Sequence, residues 1–186
     1  MSSAVDPDHH LAQAIGHFYR GHLAAADAHC RRSLAAAPDR AGALNLLGAI
    51  AALAGLRAAG LRLFLVTDGR GDTQRHKVQA LGLGSWFEQM VFTGDLPEHQ
   101  RKPSPYPFQL ACRRLGVEPA LCAYVGDNPD CDFAGPLGLG MATIAVGTGP
   151  FAGRQAPPGQ VPHVQIDELR ELAGLVGLGR AAGGPA

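Results

Sequence analysis

From residue 61 onward, short apolar runs alternate with helical patterns, and this alternation most constrains what the chain can fold into. Residues 61–66 read as a strand ended by Thr67-Asp68-Gly69. A helix follows over about 73–81, with Gly82 as its stop, and a short strand spans 91–93. Residues 106–115 read as a helix stopped by Gly116, and 122–125 as a buried strand ending at Gly126, where glycine lets the backbone turn. A short helix over 134–139, a strand over 142–146, a Pro/Gly-rich loop over 147–162, a strand over 164–166 and a helix over 167–175 complete the pattern. Strands alternating with helices specify a parallel α/β sheet. Its ligands are expected beyond the carboxyl ends of the strands, where Asp127 and Asp132 stand in Val125-Gly126-Asp127-Asn128-Pro129-Asp130-Cys131-Asp132.

The first third has another texture. Leu11, Ala14, Ile15 and Phe18, then Leu23, Ala26, Cys30 and Leu34, recur at helical spacing, punctuated by Gly21 and Pro38-Asp39. Ala43, Leu46, Leu47, Ile50 and Leu53 continue a further helix to Gly55. Gly21 and Gly55 stand 34 residues apart, as do Ala14 and Gly48. With Ala26, Leu34, Pro38 and Leu47-Gly48, residues 7–55 resemble about one and a half tetratricopeptide repeats, though His10 stands where that repeat has a large aromatic. The expected organisation is a helical segment over 1–55, an α/β domain over 56–176 and a disordered tail over 177–186.

Composition removes several function classes. Sixteen basic residues balance sixteen acidic ones, with no polybasic run, so no nucleic-acid face is expected. No apolar stretch is long enough to span a bilayer, and Met1-Ser2-Ser3-Ala4-Val5-Asp6 lacks the features of a signal peptide. Cys30, Cys112, Cys122 and Cys131 show no CxxC spacing, so a disulfide framework is not expected and a reducing cytoplasm is the expected compartment.

Three features line up along the α/β part. Thr67 ends the first strand with a hydroxyl and free backbone N–H groups. Lys102, in Arg101-Lys102-Pro103-Ser104-Pro105, is a cation before a helix. Asp127 and Asp132 end a later strand. A hydroxyl, a cation and an acid pair able to hold Mg²⁺ are what a phosphoryl group needs for positioning and charge neutralisation.

These residues resemble the haloacid dehalogenase-like superfamily, mostly Mg²⁺-dependent phosphatases. Its second motif is similar to Leu65-Val66-Thr67-Asp68-Gly69, its third to Lys102-Pro103-Ser104-Pro105 with Phe108, and its fourth to 125–132. Gln74-Arg75-His76-Lys77, Leu81-Gly82-Leu83 and Phe87 fit a helix and turn common there. The resemblance covers 56–175 and implies a Rossmann-like parallel sheet with an N-terminal helical hairpin. It implies Thr67 hydrogen-bonding the phosphate of a small phosphorylated substrate, Lys102 neutralising phosphoryl oxygens, Asp127 and Asp132 at a Mg²⁺ ion, and Asp132 supporting either Lys102 or the metal.

That family's first strand, ending in Asp-x-Asp-x-Thr or Val, supplies the attacking carboxylate and the general acid-base. The helical segment stands in its place here. Asp6-Pro7-Asp8 has the spacing but too few apolar residues before it, and is expected to cap a helix beginning near His9. A sheet without its central strand exposes two edges, which predicts self-association. A phosphohydrolase, a non-catalytic scaffold whose helical hairpin binds a protein partner, and a truncated or fused gene product are the three readings this leaves.

Overall fold

A computed structural model of the chain describes residues 6–20, 22–37, 41–80 and 83–175, and describes side chains among them except at 18–19, 23 and 41–47. The stops expected at Gly21, Pro38-Asp39 and Gly82, the tail beyond Gly177, and the side chains of Phe18, Leu23, Ala43, Leu46 and Leu47 lie outside what is described. The described residues fall into two compact units. One comprises those of Met1–Leu61, Val78–Trp86 and Leu169–Ala186, the other Arg62–Lys77 and Phe87–Glu168.

The helical unit contains α1 (Pro7–Tyr19), α2 (Leu23–Ala36) and α3 (Ala41–Ala58). The apolar stripes read from sequence are its core: Ala14, Ala26 and Cys30 are fully buried, and Leu53 and Leu83 pack around Ala26 and Ile50. Asp6 accepts the Asp8 N–H at 2.9 Å, so its carboxylate caps α1 as expected, although the helix begins at Pro7 rather than near His9. The helix expected to stop at Gly55 runs three residues further. A glycine inside a helix costs only about 1 kcal/mol, and this one admits Ala173, whose Cβ would lie 3.3 Å from an added side chain. The true stop is Gly60, at φ +78. Its N–H reaches the Arg57 carbonyl, and the Leu61 N–H reaches that of Leu56, the paired bonds that end a helix on a left-handed glycine.

The α/β unit is built from parallel strands, confirming the fold class. β1 (Phe64–Thr67) pairs with β2 (Gln89–Phe92), in the register Val66 opposite Val91. β3 (Ala123–Gly126) pairs with β4 (Ala142–Val146), and β4 with β5 (Val164–Ile166). α4 (Gly71–Ala80) follows β1, α5 (Tyr106–Leu115) precedes β3, and α6 (Ala134–Gly138) follows it. β1 is shorter than the strand read over 61–66, because Leu61 closes the end of α3 and the ladder to β2 begins at Phe64.

Among the described residues the strands form two sheets, β1-β2 and β3-β4-β5, and β1 does not pair with β3. Each of these two strands therefore has a partner on one side only. The break falls where the sequence reading expected a strand to be lacking. Both sheets still share one core. Val66 and Val91 from the first sheet, Tyr124 and Met141 from the second region, and Phe108, Ala111 and Cys112 from α5 form a single buried cluster. Burial of these side chains, at roughly 1.5–3 kcal/mol for each large one, holds the strand ends that carry the site. No described helix is long and apolar enough to cross a membrane.

Candidate active site

The site is organised by how β3 ends. A Cβ on Gly126 would stand 2.6 Å from Asp132 Oδ2, so glycine is required there for close approach, not for the turn that the sequence suggested. Asp132 folds back beneath the strand end. Its Oδ2 accepts the backbone N–H groups of Asp127 at 3.2 Å and Asn128 at 2.9 Å. Its Oδ1 accepts from Lys102 Nζ at 2.6 Å and from the Tyr124 hydroxyl at 3.3 Å. One carboxylate thus ties the loop after β3 to the Lys102 loop before α5. Asn128 Oδ1 accepts the Asp130 N–H at 3.1 Å, and Arg154 reaches Asp130 at 2.7 Å, which links the loop after β4 to the same turn.

Lys102 and Asp132 are 8% and 4% exposed, so this is a buried pair. Such a pair persists where other polar groups supply further hydrogen bonds, and here the Tyr124 hydroxyl and two backbone N–H groups do so. Burial works against the charged lysine, but Tyr124 and Asp132 outweigh it, and the ammonium ends above its ordinary value of 10.5. Burial, reinforced by Asp132, holds the Tyr124 phenol above its ordinary value of 10.0. At neutral pH the site therefore has a fixed cation and a neutral phenol. The Tyr124 ring also packs edge-on against Phe108, with centroids 4.8 Å apart.

Asp127 is exposed. The loop after β4 passes close to it, since a side chain at Gly149, which holds φ +99, would come within 3.1 Å of Asp127 Oδ2. Thr67 sits at the carboxyl end of β1, and its hydroxyl donates to Gln74 Oε1 of α4 at 3.1 Å. Next to it, Asp68 accepts from the Thr93 hydroxyl. The Cys131 thiol is pushed up to about 11 by burial, then by Asp132, with smaller contributions from Asp68 and Asp130.

Lys102, Asp127 and Asp132 are thus brought together at one strand end. Thr67 stands at the end of the other sheet, turned toward Gln74. The oxygens of Asp132 are occupied by donors, Oδ1 by Lys102, Tyr124 and the Cys131 thiol and Oδ2 by two backbone N–H groups. Its geometry suits an anchor for Lys102, the other role the resemblance implied, and leaves Asp127 as the acid open to a cation. Among the described residues no three His, Cys, Asp or Glu side chains are arranged to hold a metal. One carboxylate supplemented by substrate phosphate and water is nonetheless within what Mg²⁺ accepts. Sequence reasoning missed Tyr124, Gln74 and Gly149. A tyrosine inside a buried strand was the available signal, because a buried phenol needs a partner.

Comparison with known proteins adds relatives to this geometry. The family model described as haloacid dehalogenase-like hydrolase matches residues 9–140, so the match takes in the helical segment set apart as repeat-like. The human N-acylneuraminate-9-phosphatase is 34% identical over 117 residues, covering 62% of this chain and 46% of that protein. A phosphoserine phosphatase from Thermus thermophilus is 36% identical over 120 residues, covering 64% and 46%. A solved HAD phosphatase from Thermococcus onnurineus has a TM-score of 0.58 at 29% identity, covering 68% of this chain and 55% of that one. The chain spans about half the length of the curated relatives it matches.

Proposed function

The chain belongs to the haloacid dehalogenase-like hydrolases, and we propose that its α/β unit carries the phosphate- and metal-holding part of a phosphatase site acting on a small phosphorylated metabolite. The observation that carries this reading is the buried Lys102–Asp132 pair beside the open Asp127 carboxylate. The printed functions of the relatives support the substrate class, because N-acylneuraminate-9-phosphatase and phosphoserine phosphatase are both phosphatases of small metabolites.

In this reading Lys102, oriented by Asp132 and Tyr124, offsets the charge of the phosphoryl oxygens. The Thr67 hydroxyl, released from Gln74, donates to one of those oxygens. Asp127 would hold Mg²⁺, whose chemistry there is to neutralise phosphate charge and polarise the phosphoryl group. Hydrolysis of the ester breaks a P–O bond and adds water across it. None of these residues is the carboxylate that attacks phosphorus, which this reading still needs, and Asp6 caps α1. β1 and β3 each keep one unpaired edge among the described residues, which favours self-association. A cytoplasmic setting belongs to the same proposal, supported by four cysteines without CxxC spacing.

A second reading is favoured by the split sheet and the engaged Asp6. The α/β unit would hold Mg²⁺ or phosphate without turning substrate over, and the helical segment would dock a protein partner. Phosphate release from p-nitrophenyl phosphate, with and without Mg²⁺, separates the two. The first reading expects Mg²⁺-dependent turnover that falls by at least about 100-fold in Asp127→Asn, a loss typical of removing one group that stabilises transition-state charge. Turnover unchanged by that substitution contradicts it, and no turnover from folded protein supports the second.

A further inference from the structure

Five of the eight histidines lie within residues 9–29. Four of them form two pairs seven residues apart: His10 and His17 on α1, His22 at the N-cap of α2 and His29 within it. Residues seven apart lie on one face of a helix. α1 and α2 run antiparallel, since Ser33 Oγ donates to the Pro7 carbonyl at one end while the His22 N–H donates to the His17 carbonyl at the other. The two histidine faces therefore meet along the seam. His10 Nδ1 lies 3.1 Å from His29 Nδ1. The rings of His17 and His29 stack with centroids 5.2 Å apart, and those of His17 and His22 are 5.9 Å apart. His17 Nδ1 is buried without a hydrogen-bond partner.

A helix seam built for packing alone would use aliphatic side chains, which leave no polar ring atom to satisfy. Two imidazole nitrogens on one tetrahedral ion, each at the usual zinc–nitrogen length, stand about 3.3 Å apart. The His10–His29 separation is within a few tenths of an ångström of that. The Asp27–Arg31 pair on α2 is bonded within itself at 2.7 Å.

We propose that His10 and His29 form an inter-helix chelate for one divalent transition-metal ion of the kind that favours imidazole, Ni²⁺, Cu²⁺ or Zn²⁺, with His17 stacked on His29 to orient it. No three ligating side chains are arranged around one ion among the described residues, so the protein supplies two ligands and water completes the set. The ion clamps α1 to α2 and stabilises the helical unit by mass action.

Ni²⁺ added alone to the whole chain tests this. Below one equivalent, the paramagnetic ion is expected to broaden the imidazole proton resonances of His10 and His29 first, before those of His76, His99 and His163. Calorimetry should give His10→Gln and His29→Gln at least about tenfold weaker binding, since even loss of a ligand's outer partner costs about 10–100-fold. His76→Gln should bind as the unchanged chain does. Broadening that begins at other histidines, or that spreads evenly over all eight, overturns the proposal. So does wild-type affinity in both His10→Gln and His29→Gln, whatever their fold. The broadening experiment needs no variant to fold.

Discussion

Replacing Lys102 by methionine is expected to destabilise the α/β unit by about 3–5 kcal/mol, measured by denaturant unfolding at pH 7. The substitution keeps most of the side-chain volume and removes the charge, leaving the Asp132 carboxylate, 4% exposed, without its cation. The backbone N–H groups of Asp127 and Asn128 and the Tyr124 hydroxyl would still reach Asp132, which is why the loss should not exceed this range. Adding Asp132→Asn to Lys102→Met should restore much of the loss, because the amide oxygen can still accept from the backbone N–H groups while no charge is left uncompensated. The pH dependence has a definite sign. The folded state holds the Lys102 and Tyr124 protons more tightly than the unfolded chain does, so the stability they add is full below pH 10.0–10.5 and is lost as pH rises beyond it. The difference between wild type and Lys102→Met should thus stay constant from neutral pH to about 10 and narrow above. Equal stabilities at pH 7 would mean the pair is solvated and not the anchor described above.

Phe108→Ala is expected to cost about 3–5 kcal/mol, the usual range for deleting a buried aromatic. Phe108 is fully buried at the centre of the cluster that joins both sheets. Gly135 is what admits it: a Cβ there would meet the Phe108 ring at 2.8 Å and the Ser104 carbonyl oxygen at 2.9 Å. Losing the ring also removes the edge-on support of Tyr124, whose hydroxyl bonds Asp132. The same variant should therefore narrow the stability difference made by Lys102→Met, because both act through Tyr124. Strict additivity of the two in a double-mutant cycle would show that core and site are independent.

The parallel α/β class was readable from the alternation of strand and helix patterns, and so was the unfilled interval between the strands that end at Thr67 and Gly126. Both follow from periodicity, which depends on many residues at once. Single-residue readings fared less evenly. Gly55 and Gly60 look alike in sequence, but only Gly60 takes a left-handed φ, while Gly55 is a packing gap inside α3. Gly126 was read as a turn residue, although what requires it is the carboxylate beneath it. The spacing of Asp127 and Asp132 suggested an acid pair but could not say which would be occupied by donors. That depends on Lys102 and Tyr124, distant in sequence and brought close by α5 and β3. The histidine seam went unread because stripes were sought among apolar residues, whereas His10 and His17, and His22 and His29, are polar residues at the same helical period.

Binding of Mn²⁺, as a paramagnetic stand-in for Mg²⁺, to the whole chain in the presence of orthophosphate tests the central claim most directly. If the end of β3 is a metal-dependent phosphate site, electron paramagnetic resonance should show Mn²⁺ binding strengthened by orthophosphate, and weakened at least about tenfold by Asp127→Asn. Mn²⁺ binding that ignores both orthophosphate and the loss of the Asp127 carboxylate would contradict the site assigned to this strand end.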